Sequence, residues 1–389
     1  MIHSLIMMMA MRLDIVKGPS IAYVPVSLSL MWVLLAKFVL SIPLFIKQIL
    51  FYALMMPFLL VVWVVAILIR ASPITFVTHM MNYESFRKTN RDGNRPSLPA
   101  HVKEIIFNKK NGTEVYVPRF HALEKGPKNG PLMVFLHGFP ESYLSWRNQM
   151  DKFSKTYRCV ALSLPGYGQS ARTGPLREYQ LASLVLQVVG AIRHLSGCNG
   201  KAIVVGHDWG GMVAYGVAIL HPEVVDKLIV MSCPHPLLYL TNMSFSQAWK
   251  SLYFILFQMP YLPEVYFSLN KYEIILQAAS SLSQEDAMVM QWCISHPETI
   301  TPALNYYRNL FSLDYGTFHT CITKQLDMPV LVLWGSNDEY VMPSLTRGLN
   351  KVASGAVVYI LKGAGHFIQQ EVPDQVNSRM QNFLDTFTR

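Results

Sequence analysis

Six short apolar runs punctuate the latter two-thirds of this 389-residue chain: residues 132–136 (LMVFL), 159–162 (CVAL), 202–205 (AIVV), 228–231 (LIVM), 330–333 (VLVL) and 357–361 (VVYIL). Such runs leave no polar face for water, so each reads as a strand covered on both sides of a sheet. Helix-length segments intervene at about residues 144–153, 181–195, 212–220, 345–352 and 375–387. Repeated strand-then-helix order predicts an α/β domain with a mostly parallel sheet flanked by helices, because parallel neighbours need a crossover. Two further runs, 102–107 and 114–120, flank Asn111-Gly112 and predict a hairpin ahead of that sheet.

The strand signal stops between residues 235 and 324. Aromatic and helical patterns replace it there (SLYFILF, EIILQAASSL, ALNYYRNLF). We therefore expect a helical cap, 235–324, inserted into a core made of 101–234 and 325–389. The cap would cover the carboxyl edge of the sheet, where open α/β sheets bind ligands. Residues 71–100, polar and containing Gly93, Pro96 and Pro99, read as a linker.

Residues 1–70 have a different texture. The uncharged run 48–69 lies between Lys47 and Arg70, and at ~1.5 Å per residue it matches a hydrocarbon core of ~30 Å. It predicts a transmembrane anchor, with 21–46, broken by Pro25, Lys37 and Pro43, as a candidate second apolar segment. The formal charge is +9, yet residues 1–100 hold nine basic and three acidic groups while the rest is nearly balanced. Excess charge beside an apolar stretch suits a lipid bilayer better than nucleic acid, which is excluded as an expected partner. The five cysteines are scattered without a CxxC pair, which predicts no metal site and fits a reducing compartment. The resulting expectation is a single-pass membrane protein of the endoplasmic reticulum with its body facing the cytosol. Glycans on Asn111 or Asn242 would reverse that orientation.

Chemistry is concentrated where strands end. AIVVGHDWGGMVAY (202–215) runs from a strand through small residues into a helix, the spacing of a nucleophile elbow with Asp208 at its tip. An Asp capping a helix is the equally weighted alternative for that string alone. LMVFLHGFPESYLSW (132–146) ends a strand in a Gly-Phe-Pro turn, where the N–H groups of Phe139 and Trp209 could converge as an oxyanion hole. Two more strands end in loops carrying Asp338 (WGSNDEY) and His366 (GAGHF). Asp208, Asp338 and His366 follow the chain order nucleophile, acid, histidine of an α/β-hydrolase triad.

With HGFPESYLSWR, LPGYGQS, GHDWGG, WGSND and GAGHFIQQE in that order, the chain from residue 100 onward resembles the epoxide hydrolases of the α/β-hydrolase fold. The anchored layout is similar to that of the family's membrane-bound members. The resemblance implies that Asp208 opens an epoxide and forms an ester, that His366 activates water and that Asp338 orients His366. It also implies two cap tyrosines as proton donors: Tyr307 in NYYRN and Tyr253 in SLYFILF, with Tyr239 and Tyr261 as neighbouring candidates. A vicinal diol would leave, with no cofactor and no metal. An aromatic cap suggests a lipophilic epoxide, such as that of a fatty acid. The chain departs from the family at Ser163, where an Asp usually precedes PGYG. Alternatives are an Asp-nucleophile dehalogenase of the same fold and a membrane-tethered binding protein without turnover. Against dehalogenation, Trp209 and Phe139 stand where such enzymes place Arg or Asn. Trp146 and Arg147 read as packing residues that brace the site, and His121 carries no assigned role.

Overall fold

The computed structural model describes residues 103–107, 120–168, 170, 174–197, 200–269, 297–310 and 315–387. Eight strands form one sheet: β1 (Lys103–Phe107), β2 (Phe120–Lys125), β3 (Leu132–Leu136), β4 (Arg158–Leu162), β5 (Ala202–His207), β6 (Val225–Met231), β7 (Val330–Gly335) and β8 (Val357–Leu361). Their order is β1-β2-β4-β3-β5-β6-β7-β8. β1 pairs antiparallel with β2, and β2 antiparallel with β4; every later pair is parallel.

Alternation along each strand divides the core. Val134 of β3 and Val204 of β5 enter one apolar layer, while Met133, Phe135, Ile203 and Val205 enter the other. The first layer is closed by α2 (Leu181–Ser196) and α3 (Trp209–Leu220). On α2, Leu181, Leu184, Val185, Val188, Val189 and Ile192 are buried, a stripe at helical spacing. The helix stops at Gly197, whose φ of 79° suits a residue without Cβ. The second layer is closed by α1 (Arg147–Phe153) and the last helix, Pro373–Thr386, with Trp146 buried against Phe135. β8 alternates between partly exposed and exposed positions over most of its length, as an edge strand should.

Between β6 and β7 the described residues are helical: α4 (Pro236–Thr241), α5 (Phe245–Lys250), α6 (Tyr253–Leu256), α7 (Leu262–Leu269), α8 (Pro297–Arg308) and α9 (Tyr315–Thr323). They lie between the two strands that follow Asp208 in the sheet order. Their aromatic side chains reach the loops after β3 and β5. The string EIILQAASSL falls outside the described residues.

Three expectations need correction. The second arm of the hairpin is Phe120–Lys125, and residues 114–119 lie outside the described residues. FHALEK looks too polar for a covered strand, but Glu124 is buried against Arg158 at 2.6 Å, which removes the objection. The helix expected over 345–352 is two 3₁₀ turns, Pro343–Thr346 and Leu349–Lys351, interrupted by Gly348 at φ 79°. Finally, the expected single-pass membrane protein of the endoplasmic reticulum is overturned as a localisation. Among the described residues no helix is long and apolar enough to cross a membrane. The runs 21–46 and 48–69, and the linker 71–100, lie outside the described residues.

The two sides of the sheet predict different sensitivities. Phe135→Ala removes a fully buried ring from the sheet centre and is expected to cost about 3–5 kcal/mol. Val358→Ala on the edge strand, where the side chain is 36% exposed, should cost under about 1 kcal/mol. Urea unfolding of both variants checks the contrast.

Candidate active site

Asp208 sits at the tip of the turn between β5 and α3 with φ 49° and ψ −120°. A non-glycine residue held there stores about 1–3 kcal/mol of strain. Close packing enforces it. A Cβ on Gly206 would lie 2.4 Å from the Gly210 carbonyl oxygen, and one on Gly210 would lie 2.1 Å from the Leu136 carbonyl oxygen. Only glycines let the start of α3 press this closely against the ends of β3 and β5. Gly138 serves the same end from the other side, since a Cβ there would lie 2.6 Å from that of Asp208.

The carboxylate is therefore presented with its two oxygens in different surroundings. Oδ1 accepts the Phe139 N–H at 2.8 Å. Oδ2 lies 3.5 Å from His366 Nε2. Phe139 precedes a cis peptide to Pro140. Trp209 opens α3, so its N–H has no intrahelical partner. On the far side of the imidazole, His366 Nδ1 donates to Asp338 Oδ2 at 2.7 Å. Asp338 is itself fixed, its Oδ1 accepting the N–H groups of Tyr340 and Val341 at 2.9 and 2.8 Å. The structure thus brings Asp208, His366 and Asp338 together from the ends of three different strands.

Burial by itself would lower the His366 pKa. The Asp338 charge, with hydrogen bonding to Asp208 and Asp338, outweighs it and pushes the group up to about 10. For Asp208, burial would raise the carboxyl, but the His366 contact, the field of His207 and the Phe139 N–H hold it below its ordinary value. Each group thus favours the charged form of the other.

Residues that the sequence did not single out carry this arrangement. Glu141, fully buried in the HGFPES string, accepts the Gly138 N–H at 3.0 Å and contacts His207 Nδ1 at 2.6 Å. Its second oxygen accepts from Gln369 and Gln370, both at 2.7 Å. His207 Nε2 in turn lies 2.9 Å from the His366 carbonyl, which also accepts the Ser232 hydroxyl at 2.8 Å. Burial would raise the Glu141 carboxyl; the charge and hydrogen bond of His207 and the Gly138 N–H together bring it below the ordinary value. Arg147 donates to Gln370 at 3.1 Å, so it braces this network, whereas Trp146 packs in the core. The available signal was position: Glu141 and His207 stand within two residues of Phe139 and Asp208. Ser163 pairs through its backbone, its N–H reaching the His121 carbonyl and its own carbonyl accepting the Ser170 hydroxyl at 2.7 Å.

Above Asp208 the cap contributes aromatic rings. Tyr307 is buried, with its ring centroid 5.2 Å from Phe139 and 5.1 Å from Trp209. Tyr253 lies 5.9 Å from Tyr307, centroid to centroid. Burial raises both phenols well above 10, and the Asp208 charge acts on each in the same direction. Of the neighbouring candidates, Tyr239 bonds Ser251 at 3.1 Å and Tyr261 is 61% exposed. Phe257 and Phe267 close the wall against Phe139, at 5.6 and 5.8 Å.

A nucleophile elbow on the fifth strand of this sheet order, with an acid after β7 and a histidine after β8, defines an α/β hydrolase. The model of the alpha/beta hydrolase fold family matches residues 131–373. Epoxide hydrolase 3 of Xenopus tropicalis is 34% identical over 76% of this chain and 83% of its own length. Epoxide hydrolase 4 of Homo sapiens is 34% identical over 79% and 86%, respectively. A variant of an epoxide hydrolase from Bacillus megaterium, complexed with its product (R)-3-[1]naphthyloxy-propane-1,2-diol, superposes with a TM-score of 0.61 at 29% identity, covering 69% of this chain and 97% of that one. The chain belongs to the epoxide hydrolases of the α/β-hydrolase fold.

Two variants test how the site is built. Gly210→Ala drives a methyl into the Leu136 carbonyl and is expected to cost about 1–3 kcal/mol or more in urea unfolding. Glu141→Gln places an amide among donors and should cost about 2–3 kcal/mol at neutral pH. Because the folded Glu141 pKa lies below its unfolded value of 4.5, its contribution is full above that value and is lost as pH falls through the folded one. Thermal melts should accordingly show a shallower acid-side loss in Glu141→Gln than in the wild type.

Proposed function

We propose that the protein hydrolyses a lipophilic epoxide to a vicinal diol through an ester on Asp208. The observation that carries the proposal is the asymmetry of the Asp208 carboxylate. Oδ1 is engaged by a backbone N–H, and Oδ2 is left toward His366. A saturated carbon offers no carbonyl to attack, and a carboxylate is a suitable nucleophile for it. Oδ2 attacks one epoxide carbon, the carbon–oxygen bond breaks, and the ring oxygen takes a proton from Tyr307 or Tyr253. Phenols raised by burial remain protonated, and their loss of a proton to an alkoxide is downhill.

Ester formation then switches the histidine. The free site holds His366 between two carboxylates and so keeps it protonated. Once Asp208 is an ester, one of those charges is gone, the imidazole pKa falls, and His366 can return its proton through solvent to the phenolate left by ring opening and then act as base. It removes a proton from water, the water oxygen bonds to Asp208 Cγ, and negative charge develops on Oδ1 beside the N–H groups of Phe139 and Trp209. Collapse breaks the bond between Cγ and the diol oxygen, which takes the proton that His366 removed from water; the Asp208 carboxyl then gives its own proton to His366 and is a carboxylate again.

The wall of Phe139, Phe257, Phe267 and Trp209 supports an apolar substituent on the epoxide. The naphthyloxy diol held by the Bacillus megaterium enzyme has that character. A dehalogenase is less well supported, because the ring of Trp209 packs on Tyr306 and Tyr307.

A single turnover in ¹⁸O-water with excess enzyme tests the mechanism. We expect label in the Asp208 carboxylate and an unlabelled first diol. Label passing directly into the diol would overturn the role of Asp208, and absence of any diol would favour a binding protein. The histidine switch has its own test. The raised His366 pKa stabilises the fold fully below its unfolded value of 6.5 and ceases to do so as pH rises through about 10. In Asp208→Asn the imidazole should titrate at lower pH by NMR; an unchanged midpoint would refute the switch.

A further inference from the structure

The proton-donating pair in the proposed reaction is held by surprisingly little local structure. Tyr253 opens α6, a single turn of four residues. One turn fixes several dihedrals for one hydrogen bond and does not persist alone in water. Tyr307 belongs to the twelve-residue α8. Something must set the distance from one to the other.

The residue after Tyr307 does so. Arg308 is mostly buried, and every N–H of its guanidinium has an acceptor within the cap. Nε donates to the Phe257 carbonyl at 3.1 Å, and Nη2 to the Met259 carbonyl at 2.8 Å. Nη1 reaches Glu264 Oε1 at 2.8 Å and Asn305 Oδ1 at 3.4 Å, while Nη2 reaches Glu264 Oε2 at 3.0 Å. Glu264 is buried on α7 and also accepts the Thr301 hydroxyl at 3.2 Å. Gln258 adds a second tie, one amide donating to the Phe254 carbonyl at 3.0 Å and to the Tyr307 carbonyl at 2.8 Å. The turn that follows α6 is thus bound, through the Phe257 and Met259 carbonyls and the Gln258 amide, to the segment that carries Tyr307. Five donors in a rigid fork can bridge two carbonyls and a carboxylate at once, which an ammonium on a flexible stem cannot.

We infer that Arg308, supported by Glu264 and Gln258, is a positioning residue that fixes the two phenols relative to each other and thereby sets the rate of ring opening. The inference rests on the ester mechanism proposed above. It assigns the clamp to one half of the reaction. Protonation of the ring oxygen uses the phenols, whereas ester hydrolysis uses His366 and the backbone N–H of Phe139, and no hydrogen bond of Arg308 ends on either, although its partner Phe257 packs its ring on that of Phe139. A guanidinium needed only for stability would lower the melting temperature or slow both halves together.

The test is a rapid-quench single turnover with styrene oxide as probe, following the mass of the Asp208 peptide. For Arg308→Met, ester formation should slow about 10- to 100-fold, the scale of a displacement near 1 Å, while hydrolysis of the ester already formed stays within about twofold. Arg308→Lys should fall between Arg308→Met and the wild type. Ester formation at the wild-type rate in a folded Arg308→Met protein, or equal slowing of both steps, would overturn the inference. Should Arg308→Met not fold, Gln258→Met cuts only the second tie and must show the same one-sided slowing, or the inference fails. If the wild-type protein itself forms no ester on Asp208, the ester mechanism fails and takes the clamp with it.

Discussion

The close approach of Gly210 to the end of β3 is the constraint from which the rest of the site follows. It lets α3 begin directly beneath the last residues of β5, and the chain can make that turn only by forcing Asp208 to a positive φ. The turn rests on a sheet in which β3, β5 and β7 are buried throughout. Because the carboxylate is pinned there by backbone, its two oxygens keep different neighbours, and the division of labour between Oδ1 and Oδ2 needs no further device. A flexible aspartate would exchange them.

Around that point the protein manages an unusual density of buried charge. Asp208, Asp338 and Glu141 surround His366 and His207, and burial opposes the charged forms of Asp208 and Glu141. What makes the cluster stable is that each carboxylate meets donors fixed by backbone: Phe139 for Asp208, Tyr340 and Val341 for Asp338, Gly138 for Glu141. Glu141 and His207 are linked to His366 through its carbonyl, so one network orients both the loop after β3 and the loop after β8.

Much of this was legible in the chain itself, for a physical reason. Strand β3, covered on both faces, has the bounds read from its apolar run, and β8 has them too although it is an edge strand open to solvent over most of its length. Asp208, Asp338 and His366 follow strand ends with glycines nearby, and turn chemistry is local. The failures are non-local. FHALEK could not be read as a strand without its distant Arg158 partner. The choice of Tyr253 over Tyr239 and Tyr261 depends on which ring meets Tyr307 across the cap. Glu141 looks like a solvated acid until Gln369 and Gln370, more than two hundred residues later, close over it.

The cap is more than a cover, because it grips the core loops at a second place. Gln247 of α5 is buried, its amide donating to the Tyr340 carbonyl at 3.1 Å and its oxygen accepting the Met342 N–H at 2.8 Å. Lys250, one turn further on, donates to the carbonyls of Asp338 and Glu339. These bonds hold the acid loop and hence the histidine, whereas Arg308 and Gln258 hold the phenols. In the mechanism we propose, the two half-reactions therefore lean on different helices of one insertion. On that reading, movement of α6 against α8 alters the proton donors and leaves the base in place, while movement of α5 does the reverse. The proposed order of events is enforced by the charge on Asp208 and not by the cap, so a single insertion can vary its substrate wall without losing it.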